Sequence, residues 1–452
     1  VKNHPDVGEL LNPSTGRALS QALDNPRQWR FRKIDSIRLM EGRVGRRRVS
    51  ADVMPPPDPA LAYYPNDRRQ KRIERVVGPV LVPLGMMAKE PLRNFDLALS
   101  DGETVPILSR ADNARAAASA VLYEIGGDPA FRDAMLVEAV MTVVDGAAEA
   151  AHLVSEGLLR DGTFRGQRVL RPKDLTTLAE ALLEELSTQF LMVALLPSRL
   201  AGARCIVKYS FHWDCTFDVK SQRLRLLGGS GGYARVPLGI DVPGASGYDS
   251  YHLEVHVPAG LESRGLHLPT NTTAMGNRWG SRPAGSVTQD DDTGVVAHAL
   301  ARYDQEPSGP ATLYLQPPRD GLRRTAAWVT SLTSLTFLAI GFTPGVLGRF
   351  LDASDSGSAL LLAAPAIVIS FLTRPGENAI ASTLLAPLRA MMWACTAAFA
   401  LAAGAVVAGS SGWPMTCFWG LGAFMAASMS TFILVGYIVS GRRQTDRRKG
   451  AS

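Results

Sequence analysis

Cysteine and lysine are both scarce in this chain. Its 452 residues include 4 Cys, and 8 of its 48 basic side chains are Lys, the rest being Arg. Cys205, Cys215, Cys395 and Cys417 form no CxxC pair, so neither a zinc ribbon nor a dithiol redox motif can be built from them, and they are expected as free thiols in a reducing compartment. HExxH is absent, as is a Gly-Lys-Ser/Thr phosphate loop. Asp, Glu, Lys, Arg and His are missing from four apolar stretches, Trp328–Leu347, Gly357–Leu372, Met391–Gly409 and Trp413–Val439. Each is near or above the roughly 17–25 residues that cross a ~30 Å hydrocarbon core. Intramembrane charge is the usual equipment of ion-coupled transport, and these stretches have none. What is present is a long water-compatible region followed by an apolar one, which predicts an integral membrane protein with a large soluble domain.

Basic residues orient it. Arg319, Arg323 and Arg324 precede the first stretch, Arg374 and Arg389 lie between the second and third, and Arg442, Arg443, Arg447, Arg448 and Lys449 follow the fourth. Short cytoplasmic loops retain Lys and Arg. All three basic segments share a side if there are four crossings, which places both termini and the soluble domain in the cytoplasm of a bacterial plasma membrane. Val1–Ser20 has no apolar core of the kind a secretory leader needs, which agrees.

In the soluble part, residues 1–27 are rich in Asn, Pro, Gly and Ser and are expected to form a flexible arm. Residues 28–318 read as one α+β domain. Alternating apolar and polar residues from Trp29 predict a strand, with a partner over Arg46–Met54 after a turn at Gly42–Gly45. The run Val76–Met87, broken by Gly and Pro, reads as buried strand. A helical insertion spans about 109–198: Ser109-Arg-Ala-Asp112 is a capping box, Gly126-Gly127 ends the first helix, Asp128 to about Leu159 forms a second, and Asp174–Leu196 a third. Strands return over Ala203–Phe211, Thr216–Leu227, Ser250–Val257 and Ala311–Gln316. This β, then α, then β order predicts a sandwich-like α+β fold, followed by an all-α four-helix transmembrane bundle over 325–440 and a basic cytosolic tail, 441–452.

The most specific chemical pattern is Tyr251-His-Leu-Glu-Val-His-Val257. At the two-residue period of a strand, His252, Glu254 and His256 share one face, and two imidazoles with a carboxylate can ligate Zn²⁺ or Fe²⁺ with positions left open. The same alternation also describes the solvated face of a half-buried strand. His212, Asp214, Thr216 and Asp218 alternate in the same way. Leu227-Gly-Gly-Ser-Gly-Gly-Tyr233 lacks the residues of a phosphate loop and reads as a turn, and Asp290-Asp291-Asp292 lacks the ligand spacing of an EF-hand. A basic patch, Arg68, Arg69, Lys71, Arg72 and Arg75, is expected to face anionic lipid headgroups. Small residues four apart, Gly404/Ala408 and Gly422/Ala426, predict close helix approach and favour a bundle or a homo-oligomer.

The segments Leu92-Arg-Asn-Phe-Asp-Leu, Val105-Pro-Ile-Leu-Ser-Arg, Ser250-Tyr-His-Leu-Glu-Val and Phe371-Leu-Thr-Arg-Pro-Gly-Glu-Asn resemble those of a group of uncharacterised actinobacterial membrane proteins with a cytosolic domain before four spans. The resemblance implies source and architecture and brings no activity, cofactor or site residue. The function expected is a membrane-tethered cytosolic binding, sensory or scaffolding module with a cytosolic protein partner or ligand. The alternatives are a homo-oligomeric pore or transporter subunit gated by its cytosolic domain, and a metal-dependent enzyme. No cofactor is implied apart from the metal at His252, Glu254 and His256, and nucleic acid is not an expected partner.

Overall fold

The computed structural model describes residues 10–40, 44–57, 79–214, 228–229, 231, 235–272, 296–301, 305–307, 309–318, 320–342, 378–407 and 413–450. Its centre is a six-stranded sheet. β1 (Arg30–Leu39) pairs antiparallel with β2 (Val44–Val53), where alternation of apolar and polar residues makes a two-faced strand of each. Next in the chain come β3 (Val80–Ala88) and β4 (Arg93–Leu99), which do not pair with each other, and the small hairpin β5 (Thr163–Phe164) and β6 (Gln167–Arg168). β7 (Gln189–Leu196), β8 (Cys205–Asp214), β9 (Val236–Ile240), β10 (Ser250–His256), β11 (Glu262–His267), β12 (Thr270–Thr272), β13 (Val296–Ala301), β14 (Gln305–Pro307) and β15 (Ala311–Gln316) follow. The large sheet runs β13-β10-β1-β2-β8-β4, with β10 parallel to β1 and the other neighbours antiparallel. A three-stranded sheet runs β11-β15-β9, and β3 pairs with β7.

One face of the six-stranded sheet is buried throughout, but against two different partners. Val49, Ala51, Val53, Leu97, Leu99 and Val207 join a core with β3, β7 and the helices. Ile37, Leu39, Tyr251, Leu253, Val255 and the alanines of β13 join a second core with Val236, Leu238, Leu313 and Leu315 of the three-stranded sheet. The second half is therefore a sandwich, as the β-rich ends of the sequence imply, while the first is a sheet covered by strands and helices.

The helical insertion is present as α2 (Arg110–Gly126), α3 (Ala134–Asp145), α4 (Ala148–Arg160) and α5 (Thr177–Thr188). Ser109 caps α2 by accepting from the Asp112 backbone N–H at 3.2 Å, as the box predicts. Three expectations need correction. The single helix expected from Asp128 to about Leu159 is two, α3 and α4, because Gly146 takes extended backbone between them. The helix expected to reach Leu196 stops at Thr188, because Gln189–Leu196 pairs along β3; a continuous apolar run carries no period that separates strand from buried helix. The flexible arm expected over 1–27 contains α1 (Pro13–Asp24), capped by Asn12, whose side chain accepts from Thr15 N–H at 2.9 Å. Its Leu19 is wholly buried, and a Cβ at Gly16 would drive into the Ser119 carbonyl of α2. Packing on α2 orders a segment whose composition alone reads as coil.

Among the described residues three further helices follow, α6 (Leu322–Phe342), α7 (Ala379–Val407) and α8 (Trp413–Gly450). Two of them are long and apolar enough to cross a membrane, over Ala379–Ala405 and Thr416–Gly436. Only 39% and 33% of these stretches is buried, unlike the core helix of a soluble protein. Among the described residues, two of the four expected spans are thus represented by such helices. α6 covers most of the first expected span but is diluted by Thr330, Ser331, Thr333, Ser334 and Thr336, and the second expected span lies outside the described residues.

Phe337 of α6 binds the three together, packing edge-on against Trp419 of α8 at 4.8 Å and Phe399 of α7 at 5.4 Å. Gly422 makes room for the Phe337 ring and Gly341 for Trp419. Gly422 thus fulfils the small-residue reading, whereas Gly404 faces open space and Ala408 lies outside the described residues.

Candidate functional site

Among the described residues, the other face of the six-stranded sheet is not covered by a core. Its cross-strand register sets side chains in rows. His212, Arg46, Arg38 and His256 form one, running from β8 through β2 and β1 to β10. Ser210, Arg48, Ser36, Glu254 and His298 form the next, and Lys208, Ser50, Ile34, His252 and Leu300 a third. Arg38, Arg48 and Lys208 are exposed and Arg46 is half-buried, so these rows carry four cationic side chains against the Glu254 carboxylate, with Asp52 and Asp96 on the same face.

That carboxylate sits among imidazoles. His252 Nε2 and His298 Nδ1 are 3.2 Å apart, with ring centroids at 5.4 Å. One ligand atom from each of His252, Glu254 and His298 lies within 4.8 Å of the others, and all three residues are half-buried. Burial pushes the His252 imidazole below its ordinary pKa; Glu254 acts in the opposite sense, while His298 and Arg32 reinforce the drop. A neutral imidazole is the form that ligates a metal.

His256 is not in this group. Its ring lies 3.4 Å from the Ser36 hydroxyl instead. Residues on one face of a strand recur every ~6.7 Å, so three of them extend over ~13 Å. That is too long for one ion with bonds of ~2.0–2.2 Å. A directly opposed residue on the next strand lies ~5 Å away. His298, paired to Glu254 across β10 and β13, therefore occupies the position that the sequence reading gave to His256. The signal for it was the alternation of Val296-Ala-His-Ala-Leu-Ala301, which marks a strand but not its neighbour.

Beneath these rows, at the seam between the two cores, lies a buried ionic group. Asp35 pairs with Arg47, lies 3.8 Å from Lys33 Nζ and accepts from the Tyr251 hydroxyl at 2.7 Å. Lys33 Nζ also donates to the Pro243 carbonyl at 2.7 Å, and Arg47 to that of Asp241 at 3.0 Å. Burial pushes the Lys33 amine down to about 8 against the pull of Asp35. Burial would raise the Asp35 carboxyl, but Arg47, Lys33 and the Tyr251 hydroxyl outweigh it and hold it below the usual carboxylate range. These bonds fix β1, β2 and β10 in register and so fix the rows above them.

A separate cleft of about 590 Å³ opens beside α2, lined by Lys89, Leu92, Ile107, Asn113, Val144 and Phe190. Lys89 Nζ donates to the Val143 and Gly146 carbonyls at 2.6 and 3.1 Å, and so closes the C-terminal end of α3, where a cation is favoured. Burial pushes this amine down to about 8 as well.

The remaining sequence candidates are not gathered into a site. His212 meets Asn94 at 3.0 Å, Asp214 ends β8, and Thr216 and Asp218 lie outside the described residues. Outside them too are Asp290–Asp292 and the whole basic patch Arg68, Arg69, Lys71, Arg72 and Arg75. The described glycines of the Gly-rich segment, Gly228, Gly229 and Gly231, have helical backbone rather than a turn. Cys205, Cys395 and Cys417 are free thiols; burial, then Asp52, pushes the Cys205 thiol up to about 11, which keeps it unreactive at neutral pH. No protein-family model matches the chain, and no curated protein matches it.

Proposed function

We propose that the chain is a membrane-tethered binding module, sensory or scaffolding, whose α+β domain stands in the cytoplasm on a four-span bundle in a bacterial plasma membrane. The observation that carries this reading is a core shared between the soluble domain and an apolar helix. Ile380, Ala381 and Leu384 at the start of α7 belong to the same core as Ile37, Tyr251, Leu253 and Val255. Asn378 caps α7, accepting from the Ile380 N–H at 2.9 Å, and donates to the Met40 carbonyl at the end of β1 at 2.6 Å. Further along α7, Leu388, Met392 and Cys395 pack with α6 and α8. A passive anchor has no need of such a seat. Here, a ligand on the open face of β1 and β10 acts on strands whose reverse face touches α7, a physical route for coupling.

The apolar exterior of the helices supports the tether. Trp328, Leu332 and Leu335 of α6, Trp393 and Leu401 of α7, and Leu421 and Phe424 of α8 are all more than half exposed. The hydroxyls favour packing over conduction. Thr330, Thr333, Thr336 and Ser428 bond back to their own helix, while Ser331 meets Ser430 at 2.6 Å across α6 and α8.

Alkaline carbonate washing of membranes from the expressing cell tests the tether: the chain is expected in the pellet, and its release to the supernatant would overturn it. Orientation is read with Ser452→Cys in a background whose four cysteines are Ser. A membrane-impermeant maleimide is expected to label inverted vesicles and spare intact cells, and the reverse pattern rejects four spans with both termini in the cytoplasm.

A further inference from the structure

We propose that His252, Glu254 and His298 form a three-ligand site for a divalent transition metal of zinc's class on the open face of the sheet. In its biological role the ion is the ligand of the module proposed above, and that role rests on the tethered reading; the coordination chemistry does not.

Geometry argues for it first. Tetrahedral bonds of ~2.0–2.1 Å place ligand atoms about 3.4 Å from one another. The His252 Nε2 to His298 Nδ1 separation is 3.2 Å, and the third ligand atom, a Glu254 oxygen, lies within the same 4.8 Å group. Little rearrangement is needed to seat one ion among them. Donor chemistry argues next: two imidazoles and one carboxylate suit Zn²⁺, Co²⁺ or Fe²⁺ and are poorly matched to Ca²⁺ or Mg²⁺, which take oxygen. Access argues third. The three residues are half-buried rather than sealed, on a face that no core covers among the described residues, so an ion can enter and leave.

Three protein ligands leave at least one position for water or for a donor brought by a partner. Structural zinc sites close with four. The site is therefore suited to a reversible ion that reports its presence rather than one that holds the fold together. It is also placed to report. β10 carries two of the ligands on one face, and on the other Tyr251, Leu253 and Val255 reach the core that includes Ile380 and Leu384 of α7. Because His298 comes from β13, a bound ion ties together two strands that are already paired, β10 and β13.

The experiment is titration calorimetry of ZnCl₂ into the full-length protein in detergent after chelator treatment, with Co²⁺ absorption as the spectroscopic check. Wild type is expected to take up one ion per chain and to give the visible d–d bands of a low-coordinate Co²⁺ site. His298→Ala is expected to weaken binding by at least about tenfold, since even loss of a residue that only supports a ligand does so, and to abolish those bands. His256→Ala is expected to bind within threefold of wild type. The pair separates this site from a single-strand site, and it needs no variant to retain activity. Absence of zinc uptake by wild type, leaving the two imidazoles as a hydrogen-bonded pair, would overturn the proposal, and so would equal losses from His256→Ala and His298→Ala. A variant that fails to fold is recognised by its melting curve, and Co²⁺ bands in wild type then decide the question. Carbonate extraction tests the tether independently, so the two readings can fail separately.

Discussion

At the scale of single residues, the decisive group is the buried ion cluster on β1 and β2. Asp35 is fully buried, pairs with Arg47 and lies beside Lys33, both of which are nearly fully buried. Removing one partner of a buried pair leaves an uncompensated charge, at a cost of about 3–5 kcal/mol. Asp35→Asn is therefore expected to lower the unfolding midpoint of the purified protein strongly, whereas Asp52→Asn, which breaks its pair with the exposed Arg204, should leave it close to that of wild type. The pH dependence follows from the direction of each shift. Asp35 is depressed when folded, so its contribution is present above the ordinary carboxylate range and is lost as pH falls through the folded value. Lys33 is depressed to about 8, so the unfolded chain holds its proton longer than the folded one between about 8 and 10.5. Stability from this group rises across that window and is flat below it. Lys33→Met is expected to abolish the alkaline rise in thermal melts while leaving neutral stability unchanged or higher.

At the scale of elements, spacing was legible and adjacency was not. Alternation revealed β1, β2, β8, β10 and β15, and the Ser109 capping box revealed the start of α2. What alternation cannot state is which strand lies beside which. His252 and Glu254 were recognisable as sharing a face, but their third companion comes from β13, 44 residues beyond Glu254 and paired antiparallel to β10. Helix contacts behave alike. A small residue at position 422 or 404 reads the same in sequence, yet Gly422 receives the Phe337 ring and Gly404 meets nothing within 4 Å. Gly422→Val is accordingly expected to destabilise the helical unit by about 1–3 kcal/mol through overpacking, measured by detergent denaturation. Gly404→Val is expected to be close to neutral, and the added substitution Phe337→Ala should recover part of the loss at 422.

At the scale of the whole molecule, the soluble sheet and the apolar helices are one mechanical body at the root of α7, where Arg389 separates turns packed on the sheet from turns with an apolar exterior. That exterior makes a further expectation. In proteoliposomes of brominated phosphatidylcholine, fluorescence of Trp328 and Trp393, 68% and 52% exposed, should be quenched, and Trp29, at 3%, should be spared. Read in single-tryptophan variants, sparing of both Trp328 and Trp393 would remove α6 and α7 from the bilayer. The sequence by itself determined that a strand-rich soluble region precedes an apolar helical one, because hydrophobic length and two-residue alternation are properties of the chain alone. Tertiary structure alone decided that α1 is ordered, that β7 is a strand, that the inward face serves two cores and that His298 rather than His256 joins His252 and Glu254. Each of those depends on contact between residues far apart in sequence, and no local pattern encodes which distant surface will cover a given face.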